Sequence, residues 1–285
     1  MYYVLLSVFC SVSVSVLIKY ARRKEVNTLQ MFIWNYPSAI LLTYFTLTPQ
    51  LTGLKIGGLP YEVLLPLSFL MFALFIVIVQ SIQTSGIMKT EVAQRLSLLI
   101  PILAAYFLFG EYINGGKLLG ILFGFTAIFL ILYQKKTGVS SSKNMILFPV
   151  LVFFGMGVVD VLFKSLAQVD TFSYPTLLFV LFSLAFIFSL LFLFYLLGVK
   201  KQKFDKSALG WGLGMGVVNF GNILFYLRAH QDLPDNPSVV FTAMNIGVII
   251  VGTLTGVYLF KEKLNRYNIY GVLLAILSVI VIVFV

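Results

Sequence analysis

The sequence predicts an all-α integral membrane protein of ten transmembrane helices, arranged as two inverted five-helix repeats. Three observations predict it. Apolar runs long enough to cross a bilayer recur from end to end. A turn motif returns at a constant spacing. Each half of the chain holds an odd number of runs. Of the 285 residues, 60% are hydrophobic and 11% charged, against roughly 25% charged in an ordinary globular domain. Runs of about 20 apolar residues match the thickness of the hydrocarbon core.

The repeat is carried by Leu108-Phe-Gly-Glu111-Tyr-Ile-Asn114 followed by Gly120, and by Leu259-Phe-Lys-Glu262-Lys-Leu-Asn265 followed by Gly271. Leu, Phe, Glu, Asn and Gly all return 151 residues later. In each copy an apolar helix reaches a glutamate, turns within a few residues and re-enters an apolar helix. A second echo precedes it in each half: Val14-Ser-Val-Leu-Ile-Lys19 resembles Val159-Asp-Val-Leu-Phe-Lys164, 145 residues on. Two echoes in one order mean one unit written twice. The halves are residues 1–135 and 145–285, joined by a polar linker at 136–144.

Ten spans follow, at 2–20, 28–48, 63–84, 91–109, 115–134, 145–167, 172–198, 207–227, 238–260 and 267–285. Five spans per half make the second half enter from the opposite side, which relates the halves by an axis in the membrane plane. Loops after odd-numbered spans hold fourteen Lys and Arg residues and those after even-numbered spans three. This bias puts the odd loops in the cytoplasm and both termini outside. The same topogenic role accounts for the net charge of +10 and argues against a nucleic-acid partner. Cys10 is the only cysteine and His230 the only histidine, so disulfide, cysteine-metal and nucleophile–base constellations are excluded. No phosphate loop, His-Glu-x-x-His or Gly-x-Ser-x-Gly motif occurs. No catalytic residue, metal or cofactor is expected.

Charged and amide side chains inside such spans are the candidate chemistry, because a charge deep in a bilayer costs roughly 2.5–3.5 kcal/mol on insertion scales. Span 1 carries Ser7, Ser11, Ser15 and Lys19 at four-residue steps, one polar stripe on an apolar helix. The stripe reads either as close helix packing with Lys19 reaching the interface or as the wall of a wet cavity. Span 6 places Asp160 one turn before Lys164. Asp160 reads as the deepest carboxylate, available to a proton or an amine or neutralised by Lys164; Glu91, Glu111, Glu262 and Asp170 are placed at helix ends or turns.

Span 4 opens Glu91-Val-Ala-Gln94-Arg95-Leu-Ser97 and reaches Pro101, which frees a carbonyl one turn earlier and breaks or kinks the helix. Arg95 binds an anion or pairs with Glu91. Span 8 puts Gly210 with Gly214 and Gly212 with Gly216 at close-packing spacing, then Asn219, Asn222 and Tyr226 on one face. Asn35 beside Tyr36-Pro37 and Asn245 complete the polar candidates. His230 reads as a solvated loop residue. Glu111 and Glu262 read as structural, bonding loop N–H groups or neutralising lysines.

Ten spans in two repeats, each fourth span ending in Leu-Phe-x-Glu before a Gly-bearing fifth span, resemble the EamA-like family of the drug/metabolite transporter superfamily. The specific part is the pair Pro101–Gly120 and Gly252–Gly271, with Gly252 standing where the first copy has Pro101. The resemblance implies a bundle with a central cavity lined by spans 1, 3, 4, 6, 8 and 9. It implies export or exchange of small metabolites by alternating access, and in many members cytoplasmic termini. The function expected is therefore secondary transport of a small polar metabolite, an amino-acid-like substrate favoured, with a proton gradient as candidate energy source. Nucleosides, phosphorylated sugars or organic cations are the other substrate classes, and a binding-only receptor subunit the other function. The expected setting is a bacterial inner membrane, as monomer or homodimer.

Overall fold

The computed structural model describes residues 2–52, 54, 56–109, 115–132, 144–233 and 237–284. Glu111 and linker residues 136–143 lie outside them. The described residues form helices and connecting turns without a β-strand. In chain order the helices are α1 Tyr2–Arg23, α2 Thr28–Ile33, α3 Asn35–Leu47, α4 Tyr61–Ser85, α5 Ile87–Leu96 and α6 Leu99–Phe109. They continue as α7 Gly115–Leu132, α8 Asn144–Ala167, α9 Tyr174–Phe194, α10 Lys206–Asp232, α11 Pro237–Leu254 and α12 Arg266–Phe284. Among the described residues, seven helices are long and apolar enough to cross a membrane. Their outer surfaces carry large apolar side chains such as Phe9, Phe69 and Phe194, as lipid contact permits.

Two expected spans are not single helices. The span at 28–48 breaks at Trp34, between α2 and α3. The span at 91–109 breaks at Ser97–Leu98, between α5 and α6. Each break has a proline three residues into the second helix, Pro37 and Pro101. A proline has no N–H for the carbonyl four residues earlier, here Ile33 and Ser97. Its φ suits the first turn of a new helix, so the chain restarts one there.

The chain divides into two compact units, each drawing on both sequence halves. The first comprises residues 1–16, 77–158 and 221–285. Its most extensive helix pairing is that of α7 with α12. A Cβ at Gly120 would lie 2.5 Å from Ile282 Cγ1, and one at Gly271 would lie 2.6 Å from Ile131 Cγ1. Ser278 Oγ donates to the Gly120 carbonyl at 2.7 Å, while Gly271 faces the Ala127 carbonyl. Gly120 and Gly271, Ala127 and Ser278, Ile131 and Ile282 are each 151 residues apart, so the contact is reciprocal. Bare glycine lets the two backbones approach where a side chain would part them. Beside this pair, Val4, Val8 and Val12 of α1 pack on Val240, Met244 and Val248 of α11.

The second unit comprises residues 17–76 and 159–220. Here α10 lies against α2 and α3: Gly212 meets the Met31 carbonyl and Gly216 the Asn35 carbonyl. Ser38 Oγ donates to the Leu213 carbonyl at 2.9 Å. Gly210 and Gly214, expected to pack the same way, face open space; they lie on the opposite side of α10. Two polar clamps close the unit. Gln30 Nε2 donates to the Lys203 carbonyl and Gln30 Oε1 accepts the Asp205 N–H. Thr176 Oγ1 accepts the Gln50 N–H at 3.0 Å. Gln30 stands three residues after Asn27, the N-cap of α2, and Thr176 three after Ser173, the N-cap of α9.

Candidate functional site

The serine stripe of α1 meets the charged face of α5 within the first unit. Ser15 Oγ donates to Glu91 Oε1 at 2.5 Å. One turn back, Ser11 Oγ accepts from Arg95 Nη2 at 2.7 Å. A further turn back, Ser7 Oγ bonds Asn222 at its side-chain oxygen, 2.8 Å away. The geometry follows from spacing: serines every fourth residue of α1 face Glu91 and Arg95, four apart on α5.

Glu91 is only 1% exposed. Sequence reasoning put it at a helix end; it lies instead in the body of α5, five residues from that helix's C-terminus. Arg95 acts electrostatically on Glu91. Yet Glu91 Oε2 and Arg95 Nε are both buried without a hydrogen-bond partner. An orphaned acceptor and an orphaned donor thus sit on successive turns of one helix. Gly252 of α11 lies beside the Glu91 stem: a Cβ there would lie a tight 3.0 Å from Glu91 Cγ. Asn245, one face of the same helix, is buried and donates to the Phe241 carbonyl at 2.9 Å. Gln94 is half-buried, its carbonyl taken by Ser97 Oγ at 2.6 Å. Pro101 follows in the first turn of α6.

The amide face expected along α10 divides. Asn222 meets Ser7 as above. Tyr226 stacks edge-on to His230, centroids 4.6 Å apart. His230 therefore belongs to the last turns of α10 rather than to a loop. In the second unit Asn219 Nδ2 donates to Asn35 Oδ1 at 3.3 Å. Asn35 is buried at the break between α2 and α3, and Trp34 Nε1 beside it is buried without a partner. Lys19, Asp160 and Lys164 are half-buried in this unit, and each engages a partner.

Sequence reasoning missed Glu91 as a site residue and missed the clamps of Asn27, Gln30 and Asp205. For Glu91 a signal existed: the Glu91–Arg95 step equals the step of the serine stripe. For the clamps there was none, because the partners are about 175 residues apart.

Glu262, by contrast, stands outside the polar cluster and caps it from behind. Its carboxylate accepts the N–H groups of Ile87 and Met88, opening α5. Among the described residues no group of three or more His, Cys, Asp or Glu is placed to hold a metal.

The EamA-like transporter family matches residues 143–284. An uncharacterized protein of Haemophilus influenzae (strain ATCC 51907 / DSM 11121 / KW20 / Rd) is 36% identical over 285 residues, covering 98% of this chain and 96% of that one. A protein of known crystal structure shares the fold with a TM-score of 0.60, at 14% identity over 98% of this chain and 95% of its own. With its helical, multi-pass membrane architecture and the repeated Leu-Phe-x-Glu turn, the chain belongs to the EamA-like transporter family.

Proposed function

We propose that this protein is a secondary active transporter of a small polar metabolite, an exporter or exchanger working by alternating access, with an amino-acid-like substrate favoured. The observation that carries the reading is the reciprocal contact of α7 with α12. Gly120 meets Ser278 and Ile282 as Gly271 meets Ala127 and Ile131, partners 151 residues apart. Such reciprocity supports two inverted five-helix repeats, residues 1–135 and 145–285. Inverted repeats give one sequence two packings of similar energy, open to either side. A substrate that binds both shifts neither strongly and can be carried between them.

The amino-acid preference draws on cationic and anionic groups within the spans. Lys19, Lys164 and the asparagines suit a carboxylate; Asp160 suits an amine or a coupling proton. The test is flux in sealed proteoliposomes loaded in turn with amino acids, nucleosides, phosphorylated sugars and organic cations, with and without a pH gradient. Protein-dependent flux of one class establishes transport. Loss of gradient dependence in Asp160→Asn assigns proton coupling to Asp160, and unchanged coupling removes it. Saturable binding without flux across the sealed bilayer favours a binding-only subunit instead.

A further inference from the structure

We infer that Glu91 and Arg95 form the substrate-recognising pair, taking the ammonium and the carboxylate of a zwitterionic α-amino acid. The inference rests on the transporter reading above and assigns the ammonium and carboxylate to Glu91 and Arg95 in place of Asp160, Lys19 and Lys164, which leaves Asp160 the coupling role. Glu91 Oε2 is a buried acceptor with no donor, and Arg95 Nε a buried donor with no acceptor. Unpaired buried groups of this kind cost free energy, and charged ones cost more. Their other ends are already engaged. Ser15 donates to Glu91 Oε1 and Ser11 accepts from Arg95 Nη2. The two serines, one turn apart on α1, hold both charged groups in place.

The ligand chemistry follows from the two orphans. A proton on Glu91 turns Oε2 into a donor that still lacks an acceptor, and leaves Arg95 Nε unpaired. An anion pairs Arg95 Nε and leaves Glu91 Oε2 without a donor, and an organic cation leaves Arg95 Nε unpaired. A nucleoside brings no charge to either group. A molecule carrying one ammonium and one carboxylate pairs both through charge-assisted hydrogen bonds. A zwitterion has no net charge of its own and so adds none to the site. A Cβ at Gly252 would lie 3.0 Å from Glu91 Cγ and 3.2 Å from its Cβ, so α11 runs close beside this side chain.

The test uses the full chain in sealed proteoliposomes. Counterflow of a labelled mixture of neutral L-amino acids is measured for the wild type, Glu91→Gln and Arg95→Gln, alongside nucleoside and organic-cation mixtures. Amino-acid amides, which lack the carboxylate, and N-acetyl amino acids, which lack the ammonium, serve as competitors. The wild type is expected to exchange the amino acids, with both competitors about tenfold weaker or worse. Each variant is expected to lose about tenfold or more of that exchange. Arg95→Gln should also stop discriminating against amides, and Glu91→Gln against N-acetyl compounds. These ratios do not depend on how much protein folds. Wild-type rates and wild-type discrimination in both variants overturn the assignment. Exchange of nucleosides or cations but not amino acids overturns it while leaving the transporter reading intact. A folded wild type inert toward every mixture overturns both.

Discussion

Glu262 accepts the backbone N–H of Ile87 at 2.7 Å, and with its second oxygen that of Met88 at 3.2 Å. These are the opening residues of α5, whose first N–H groups have no partner within the helix. A carboxylate there also meets the positive end of the helix dipole. The chain is shaped for it. Gly86 adopts φ +96°, and a Cβ at Gly86 or Gly256 would strike the Glu262 carboxylate. Four residues into α5 stands Glu91. The glutamate that marks the repeat in sequence thus holds the helix that carries the candidate site.

Removing that cap should cost stability. Glu262→Ala leaves two N–H groups unpaired and is expected to destabilise by about 1–3 kcal/mol. Glu262→Gln keeps one acceptor and should cost less. Thermal unfolding of the detergent-solubilised protein orders the three. Equal midpoints for wild type and Glu262→Ala would mean the cap contributes nothing.

On α10 the two glycine pairs should behave oppositely. A Cβ at Gly212 meets the Met31 carbonyl and Trp34 Cβ, and one at Gly216 meets the Asn35 carbonyl and Ser38 Cβ. Alanine at either forces the helices apart, at about 1–3 kcal/mol. Nothing lies within 4 Å of a Cβ at Gly210 or Gly214. Alanine there should stay within about 0.5 kcal/mol of wild type, and helix propensity favours it. A loss of stability at Gly210 equal to that at Gly212 would contradict this arrangement.

The helical membrane architecture was legible because lipid leaves a spanning chain few alternatives, and apolar runs announce themselves by length. The turn at Glu262 and Asn265 was legible because its residues recur in sequence register with Glu111 and Asn114, which lie outside the described residues. Pro101 announced the break between α5 and α6, and Pro37 carried the same signal for the break at Trp34. What stayed hidden was direction. Gly210 and Gly212 are equivalent in a spacing argument, yet only one faces α2. Glu91 read as a helix-end residue because the expected start of span 4 fell upon it. The structure begins α5 at Ile87, and those four residues turn an end into a buried position.

Asp205 supplies a pH test outside the membrane spans. The Asn27 N–H, foremost, and the Ala208 and Ser207 N–H groups hold its carboxyl below the ordinary value of 3.8, against the opposing loss of water. The folded state therefore prefers the charged form. Its contribution is fully present above the ordinary value and is lost as pH falls through the lower, folded one. Asp205→Asn should lower the thermal midpoint at neutral pH, and the gap to wild type should close well below pH 3.8. A gap that stays constant over that range would show that Asp205 acts through shape alone.

Asn265 and Asn268 make the sharpest local prediction. Asn268 N–H donates to Asn265 Oδ1 at 2.8 Å, and Asn265 N–H donates to Asn268 Oδ1 at 3.1 Å. This is a reciprocal capping box at the start of α12, built from two asparagines in place of Ser and Glu. Asn268 also donates through Nδ2 to the Ile131 carbonyl at 2.8 Å, tying the cap to the end of α7. Asn265→Ala should therefore cost about 1 kcal/mol, the worth of an N-cap. Asn265→Asp should cost little, since it keeps the acceptor. Asn268→Ala should cost more than Asn265→Ala, because it also removes the bond to α7 and leaves that carbonyl buried. The double variant should fall short of the sum, since the two residues share one box. Thermal midpoints of the four variants decide it: strict additivity would mean the asparagines act independently, and equal losses at the two positions would mean the bond to Ile131 contributes nothing.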